Sequence, residues 1–297
     1  MKKHILAVIL VVMVLLTGTL AGCNSTSNTN TNTNNSAFDN TKAISVITRE
    51  EGSGARGAFI EIMGIEVKNP DGTKQDRTTT EAIVANTTDL VMSNVANGQY
   101  AIGYVSLGSV NDTVKTVKVD GIAVTEATIK DKSYKIWRPF IVATNGEATG
   151  IKKDFIDFIL SKQGQDVAAA NNTVKVVENG AEYKSKGLSG KLVVAGSSSV
   201  TPLMEKLKEA YVLLNPNVTV EVQMSDSSAG IAAAIDNPEI LAMTSRKLKD
   251  GENLIPVEIA LDGIAVIVNK ANPIDNLSAE SITKAFTGEL KLWSEMK

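Results

Sequence analysis

Short β-branched stretches alternate with amphipathic stretches from residue 43 to residue 297, and this alternation constrains the fold more than any other feature. Apolar residues repeat with helical spacing after most of the β-branched runs. Such alternation is typical of α/β proteins in which helices cover a mostly parallel sheet. We therefore predict an α/β fold, large enough for one big domain or for two lobes, since domains usually have about 100–150 residues.

The hydrophobic pattern also places the individual elements. The predicted strands are 44–48, 101–105, 114–119, 136–144, 192–195, 218–223, 240–244 and 264–268. The predicted helices are 56–63, 81–95, 152–161, 202–214, 229–235 and 279–286. Each boundary follows from where the apolar spacing changes or where Gly, Pro, Ser or Asn interrupts it.

The first 22 residues have the pattern of a secretory signal. Two lysines follow Met1, and the apolar run 5–16 is shorter than the roughly 20 residues that a spanning helix needs. The stretch from Leu20 to Cys23 resembles a bacterial lipobox, in which the chain is cut before a cysteine that then carries a diacylglycerol. We predict a signal peptide at 1–22 and a lipid anchor at Cys23, on the outer face of a bacterial cytoplasmic membrane.

Cleavage before Cys23 would remove several kinds of chemistry. The chain has one His, at position 4, and one Cys, so the mature protein would have no imidazole and no free thiol. Ser-His-Asp and Cys-His catalysis, disulfides and His- or Cys-ligated zinc are then excluded. The acidic residues lack the spacing of a calcium loop, so no metal or other cofactor is predicted. A net charge of −3 also argues against nucleic acid as a partner.

Residues 24–36 are all Asn, Ser or Thr and cannot form a packed core. We predict that residues 23–42 form a solvated tether after the lipid anchor. Its flexible part would span about 25 Å, which lets the folded part reach a partner in the same membrane.

Glycine and serine cluster at three junctions, each between a predicted strand and a predicted helix. The junctions are 48–56, 195–200 and 225–230. Glycine lets the backbone aim several N–H groups at one point, and the following helix adds its positive end. One such junction is more often a simple N-cap. Three of them, with Ser245-Arg246 after another strand, favour a site for a tetrahedral oxyanion.

The same segments resemble the substrate-binding lipoproteins of phosphate ABC transporters. The similar segments are 47–56, 196–200 with 202–203, 245–246, 262–270, and 286–288 with Trp293. In that family the Gly-Ser-Ser segment comes first, so this chain resembles a circular permutation of it. A fragment of a longer tandem protein is the alternative. A permuted chain requires that residues near Lys297 lie close to those near Ala43.

The resemblance implies a type II periplasmic-binding-protein fold, with two α/β lobes and the ligand in the cleft between them. One lobe would comprise 43–137 and 270–297, and the other 138–269. The lobes would be joined by two crossing strands, Trp137–Thr144 and Asp262–Asn269. The implied function is to bind inorganic phosphate and deliver it to an ABC permease, as a monomer without enzymatic activity.

The resemblance also implies ligand contacts, when it is carried over position by position. They fall on Arg49, Ser53, Gly54 and Ala55 in one lobe, and on Ser199, Val200 (through its N–H), Ser227, Ser245 and Arg246 in the other. Ala55 stands where the family often has Thr, so a hydroxyl is lost but the backbone N–H remains.

Three charged residues lie beside these positions in the sequence. Asp226 stands where the family usually has Gly, and it either accepts the proton that hydrogen phosphate carries and sulfate lacks, or begins a helix. Glu51 is expected to orient Arg49. Arg56 is either a surface charge or part of the site.

Other functions remain open at this point. The same site could take sulfate, molybdate or a phosphonate, or the chain could be an adhesion or sensing lipoprotein on the same fold. Ser281 and Lys284 have the Ser-x-x-Lys spacing of some serine enzymes, but the accompanying motifs are absent, so catalysis there is not predicted.

Overall fold

Residues 38–297 are described by the computed structural model. The predicted signal peptide, the Cys23 anchor and most of the predicted tether lie outside the described residues. Within 38–297, no helix is both long and apolar enough to cross a membrane.

The strands and helices of this region follow the chain in alternation. The strands are β1 (Ser45–Arg49), β2 (Glu66–Lys68), β3 (Lys74–Asp76), β4 (Ile83–Ala85), β5 (Ala101–Ser106), β6 (Val114–Thr116), β7 (Lys118–Val119), β8 (Trp137–Thr144), β9 (Gly190–Ser197), β10 (Val218–Ser225), β11 (Ile240–Thr244), β12 (Ile255–Asn269) and β13 (Asn276–Leu277). The helices are α1 (Gly54–Ile62), α2 (Thr88–Asn97), α3 (Glu126–Lys130), α4 (Gly150–Ile159), α5 (Lys162–Ala170), α6 (Thr201–Leu214), α7 (Ser227–Asp236) and α8 (Ala279–Phe286).

Parallel strand pairs form the two ends of a continuous sheet, and antiparallel pairs form its middle. The strand order is β10-β9-β11-β8-β12-β5-β1-β4. Strand β9 is parallel to β10 and β11, and β1 is parallel to β4 and β5. Strands β8 and β12 are antiparallel to each other and to their outer neighbours. The α/β prediction is confirmed, and the parallel part of the sheet lies on both sides of the β8–β12 pair.

Two large apolar clusters pack on this sheet. We call the first core the cluster around Phe59, Tyr104 and Phe286, in which the Phe59 and Tyr104 rings stack with centroids 4.0 Å apart. The second core surrounds Phe155 and Tyr211, whose ring centroids are 5.0 Å apart. Burial of such aromatic groups supplies much of the driving force for folding.

Strand β12 contributes to both cores. Ile259 and Ala260 pack in the second core, whereas residues 264–268 pack in the first core. Strand β12 therefore leaves the second core and enters the first core between Ala260 and Ile264. The division into one lobe of 43–137 with 270–297 and another of 138–269 stays a prediction. Residues 264–268 fall in the second of these lobes, but they pack in the first core, together with residues of the first lobe.

Residues near the two ends of the described chain lie side by side. The Ile44 N–H donates to the Lys291 carbonyl at 2.8 Å, and the Trp293 N–H donates to the Lys42 carbonyl at 3.1 Å. The Trp293 indole also donates to the Tyr100 carbonyl at 3.0 Å. These contacts provide the proximity that a permuted segment order requires.

The predicted helix 81–95 is wrong over its first half. Ile83–Ala85 form the edge strand β4, where Ile83 and Val84 are about half exposed, and α2 begins only at Thr88. Thr87 caps this helix by accepting a hydrogen bond from the Leu90 N–H at 3.2 Å. The β-branched residues Ile83 and Val84 favour a strand. Thr87 and Thr88, which follow them, are the sequence signal for the start of α2. The hydrophobic pattern also does not predict helices α3 and α5 or the β2–β3 hairpin.

Helix α7 approaches strand β9 through a pair of glycines. A Cβ on Gly230 would lie 2.4 Å from the Gly196 Cα and 2.6 Å from the Ala195 carbonyl oxygen. We predict that Gly230→Ala lowers the free energy of unfolding by about 1–3 kcal/mol, because helix and strand must move apart. Urea unfolding would measure the change.

Gly57→Ala is the matched control for this substitution. Its Cβ would meet nothing closer than the Arg246 Cδ at 3.8 Å, and Ala favours a helix over Gly by about 1 kcal/mol. This variant should be as stable as the parent or more stable. An equal loss in both variants would contradict the packing argument.

Candidate functional site

Two of the three Gly/Ser junctions touch although they are far apart in the sequence. The backbone N–H and the hydroxyl of Ser228 both donate to the Gly52 carbonyl oxygen, each at 3.2 Å. A Cβ on Gly54 would lie 2.5 Å from the Ser227 Oγ and 2.7 Å from the Ser245 Oγ. Only glycine permits such a close approach, so Gly52 and Gly54 bring the start of α1 against the start of α7.

Arg49 connects the first junction to the second, which contains Ser198. Its side chain is buried, and its Nη2 donates to the Ser198 Oγ at 3.0 Å while its Nη1 donates to the Thr88 Oγ1 at 3.3 Å. The Thr88 hydroxyl lies 3.3 Å from the Ser198 hydroxyl and 3.4 Å from the Ser199 hydroxyl. Sequence reasoning missed Thr88 because the helix was expected to start at residue 81, which hid its first-turn position.

The carboxylate that orients Arg49 is Glu50 and not Glu51. Glu50 accepts from the Arg49 Nη2 at 2.6 Å and from the Nε at 2.8 Å, a side-on bidentate pair that fixes the guanidinium plane. Glu51 lies in the following turn and is exposed. The prediction for Glu51 is therefore wrong, because the Arg49 guanidinium pairs with Glu50 and has no hydrogen bond or ion pair to Glu51 within the described residues.

Arg56 supports the backbone of the site. Its Nη1 donates to the Arg49 carbonyl at 2.6 Å, and its Nε and Nη2 donate to the Asp76 Oδ2 at 2.9 and 2.8 Å. The side chain is 14% exposed, so it is not a free surface charge. Arg56 ties the end of β1 to the β2–β3 hairpin.

Arg246 is held by a carboxylate as well. Glu252 accepts from its Nη1 at 2.8 Å and from its Nη2 at 2.7 Å, and the Nη2 also donates to the Ser228 Oγ at 3.1 Å. Burial raises the pKa of Glu252, but the hydrogen bonds from Arg246 and from the Lys249 N–H outweigh it and hold the pKa below its ordinary value. The guanidinium is buried beside the contact between Ser228 and Gly52.

The start of α1 presents buried backbone donors. Ser53 caps the helix, because its Oγ accepts from the Arg56 N–H at 3.3 Å. Among residues 38–297, no acceptor is hydrogen-bonded to the N–H groups of Gly54 and Ala55, both of which are buried. First-turn N–H groups of this kind, next to the positive end of a helix, can bind an anion.

At the junction between β9 and α6, the backbone N–H groups of Ser199 and Val200 are already hydrogen-bonded within the turn. The Val200 N–H donates to the Ser197 carbonyl at 3.1 Å, and the Ser199 N–H donates to the Ser197 Oγ at 3.3 Å. The predicted ligand contact through the Val200 N–H therefore has no support in this geometry, because the turn itself uses that donor. The Ser199 side chain is buried and faces Thr88.

Asp226 is the N-cap of α7. Its Oδ1 accepts from the Ala229 N–H at 2.9 Å, and a Cβ on Gly52 would lie 2.4 Å from the same oxygen. Of the two roles weighed for Asp226, the helix start is the one observed. Its role as an acceptor for a ligand proton remains the alternative.

Ser281 and Lys284 do not form a nucleophile–base pair. The Ser281 hydroxyl accepts from Ser278 at 2.9 Å, and Lys284 pairs with Glu280 at 2.6 Å. Within the described chain, no group of three or more His, Cys, Asp or Glu side chains is arranged to hold a metal ion.

Comparison with known proteins identifies the family. Residues 16–163 and 181–297 match a family model described as a PBP superfamily domain. The chain belongs to the PBP superfamily. Within this superfamily it is 47% identical to the phosphate-binding protein PstS 2 of Streptococcus agalactiae, over 100% of this chain and 99% of that relative. It is 43% identical to PstS 2 of Streptococcus pneumoniae, over 86% and 88% of the two chains.

A solved structure of this family has the same fold. The crystal structure of the phosphate-binding protein of a Streptococcus pneumoniae phosphate ABC transporter aligns with 86% of this chain and 100% of that one, with a TM-score of 0.69 and 43% identity. The segment order is thus shared with the streptococcal relatives. The PstS of Pseudomonas aeruginosa is 31% identical over only 39% of this chain. A match of this partial length is what we expect if the segments of that protein follow a different order.

The ion pair of Arg246 and Glu252 gives stability a pH dependence. We predict that Glu252→Gln lowers the free energy of unfolding at pH 7 by about 1.5–3 kcal/mol, the usual contribution of hydrogen bonds to a charged group. The folded-state pKa of Glu252 lies below the value of 4.5 that is usual for Glu. The advantage of the parent chain is therefore complete above that value and is lost as the pH falls through the folded-state pKa.

Urea unfolding of both proteins at pH 7 and pH 3 would test this dependence. Glu258→Gln is the control, since Glu258 is exposed and has no ion pair among the residues that the structure describes. A stability difference for Glu252→Gln that persists unchanged at pH 3 would show that the carboxylate charge is not its source.

Proposed function

We propose that this protein is an extracytoplasmic receptor that binds inorganic phosphate between two lobes and delivers it to an ABC permease. The observation that carries the proposal is the meeting of the α1 start with Ser227 and Ser245, next to the buried guanidinium of Arg49. The 47% identity to a relative named phosphate-binding protein PstS 2 supports the same ligand.

The chemistry of these groups suits a dehydrated tetrahedral anion. The N–H groups of Gly54 and Ala55 and the hydroxyls of Ser53, Ser199, Ser227 and Ser245 would replace water as hydrogen-bond donors. Arg49 and Arg246 would supply charge-assisted bonds. Both guanidinium groups already carry a carboxylate partner, Glu50 and Glu252, so helix ends and local dipoles would do most of the binding.

Closure of the two lobes is proposed as the binding motion. Contacts between Gly52 and Ser228, between Arg49 and Ser198 and between Thr88 and Ser199 would form only when the lobe of 43–137 with 270–297 meets the lobe of 138–269. An anion that touches both lobes would stabilise the closed state through its differential contacts. Strands β8 and β12 would form the hinge.

The cellular setting follows from the N-terminal pattern. We propose that Cys23 carries the lipid anchor, that residues 23–42 tether the receptor to the outer face of the membrane, and that it acts as a monomer. No catalytic step is part of the proposal.

Phosphate should stabilise the chain, and removal of Arg49 should weaken its binding, because the change takes away a donor and leaves the Glu50 carboxylate unpaired beside the anion. At a phosphate concentration 100 times Kd, the free energy of unfolding should rise by about 2.7 kcal/mol. Arg49→Ala should weaken phosphate binding by about 2–5 kcal/mol, at least about 30-fold in Kd. Thermal shift and titration calorimetry would measure both effects.

Arg77→Ala is the matched control. Arg77 donates to the carbonyls of Gly64 and Ile65 and contacts none of the proposed ligand residues. It should leave the phosphate Kd unchanged. A chain that binds sulfate, molybdate or a phosphonate more tightly than phosphate would redirect the proposal to that anion, and one that binds none of them would refute it.

Asp226→Asn separates the two roles of Asp226. Asn caps helices about as well as Asp, and the carboxylate is already engaged with the Ala229 N–H. We predict that this variant keeps both its stability and its preference for phosphate over sulfate in competition calorimetry. A loss of that preference would instead assign the proton-accepting role to Asp226.

A further inference from the structure

Arg138 and Asp262 form a fully buried ion pair on the two strands that pass between the cores. They are direct partners in the antiparallel register of β8 and β12. The Arg138 Nε and Nη2 donate to the Asp262 Oδ2 at 3.1 and 3.0 Å, and the Ser106 hydroxyl donates to the Oδ1 at 2.7 Å. The two side chains are 1% and 0% exposed. All these bonds hold the guanidinium in one orientation.

The third guanidinium nitrogen of Arg138, Nη1, contacts the proposed anion site. Its Nη1 donates to the Ser245 Oγ at 3.3 Å, and the Ser197 hydroxyl donates to the same oxygen at 2.9 Å. A serine hydroxyl has two acceptor positions and one donor. Both acceptor positions of Ser245 are therefore filled, which leaves its O–H available only as a donor. A guanidinium has no acceptor atom and stays protonated, so Arg138 can only donate to Ser245 and can never accept a hydrogen bond from it.

The Ser245 hydroxyl lies among other donors. It is completely buried, and it faces Gly54, whose Cβ would lie 2.7 Å from its oxygen. In the part of the chain that the structure describes, the O–H of Ser245 has no acceptor. The N–H groups of Gly54 and Ala55 lie nearby, at the start of α1. A buried set of donors without acceptors is complementary to an oxygen that only accepts.

We propose that Arg138, held by Asp262, is a positioning residue that makes Ser245 an obligate hydrogen-bond donor to an unprotonated oxygen of the bound oxyanion. This inference rests on the proposed function and adds a specificity rule to it. A ligand that presents an O–H group at this point would leave two donors facing each other, and a site of this kind rejects such a mismatch strongly.

Stability alone does not account for the ion pair. Burial raises the pKa of the Asp262 carboxyl, and the Arg138 guanidinium opposes the shift. Taking both charges out of water costs about as much as their attraction returns, and apolar replacements of such pairs are often neutral or stabilising. A role in orienting a binding group gives the pair a function that an apolar pair could not perform.

A double-mutant cycle on the full chain tests the inference. Arg138→Lys keeps the charge and can still pair with Asp262, but a single ammonium lacks the fork that also reaches Ser245. Arg138→Lys and Ser245→Ala should each weaken phosphate binding about tenfold, the loss of one hydrogen bond to a charged group. The double variant should be no weaker than Ser245→Ala, because Arg138 acts through that hydroxyl. Titration calorimetry with inorganic phosphate measures all four proteins.

Two further variants separate positioning from folding. Arg138→Gln combined with Asp262→Asn removes both charges, leaves no buried charge unpaired, and should lower phosphate affinity as Arg138→Lys does. Tyr134→Phe removes a buried hydrogen bond of 2.7 Å to the Ile264 carbonyl on β12 without touching Ser245. It should lower stability and leave the phosphate Kd unchanged.

The outcomes separate the two proposals. If the parent chain binds phosphate but the effects of Arg138→Lys and Ser245→Ala add, or if Ser245→Ala leaves the Kd unchanged, the inference is wrong and the proposed function stands. If the parent chain does not bind phosphate, the proposed function is wrong and the inference falls with it.

Discussion

The contact between the Gly52–Gly54 turn and the first residues of α7 is the interaction on which the rest of the site depends. Ser228 donates twice to the Gly52 carbonyl, and Ser227 and Ser245 lie where a side chain on Gly54 would be. Any larger residue at Gly54 would separate the two helix starts. Without this contact the backbone donors of α1 and the hydroxyls of Ser227 and Ser245 would not face one point.

Each arginine near the site is paired with its own carboxylate. Arg49 pairs with Glu50, Arg246 with Glu252 and Arg138 with Asp262. The charges therefore act mainly by fixing geometry, since a paired guanidinium adds little net field to its surroundings. The groups left to interact with a guest are helix N–H groups and hydroxyls, which carry direction as well as partial charge.

Much of the fold could be predicted because it depends on local patterns. Strands such as Ile240–Thr244 and helices such as Ala279–Phe286 have the predicted bounds, since apolar spacing and capping residues act within a few positions. The start of α2 was misplaced because Ile83 and Val84 suit either a helix or an edge strand, and pairing with β1 decides between them.

Residue types and their order determined the α/β alternation, the three Gly/Ser turns and the family to which they belong. The partner of each side chain was decided only in the folded chain. Glu50 binds Arg49 where Glu51 was expected, the Val200 N–H is used within its own turn, and Thr88 and Arg138 join the site from distant strands and helices. Hydrogen bonds have a range of about 3 Å, so which atoms meet depends on how the whole sheet and its helices pack.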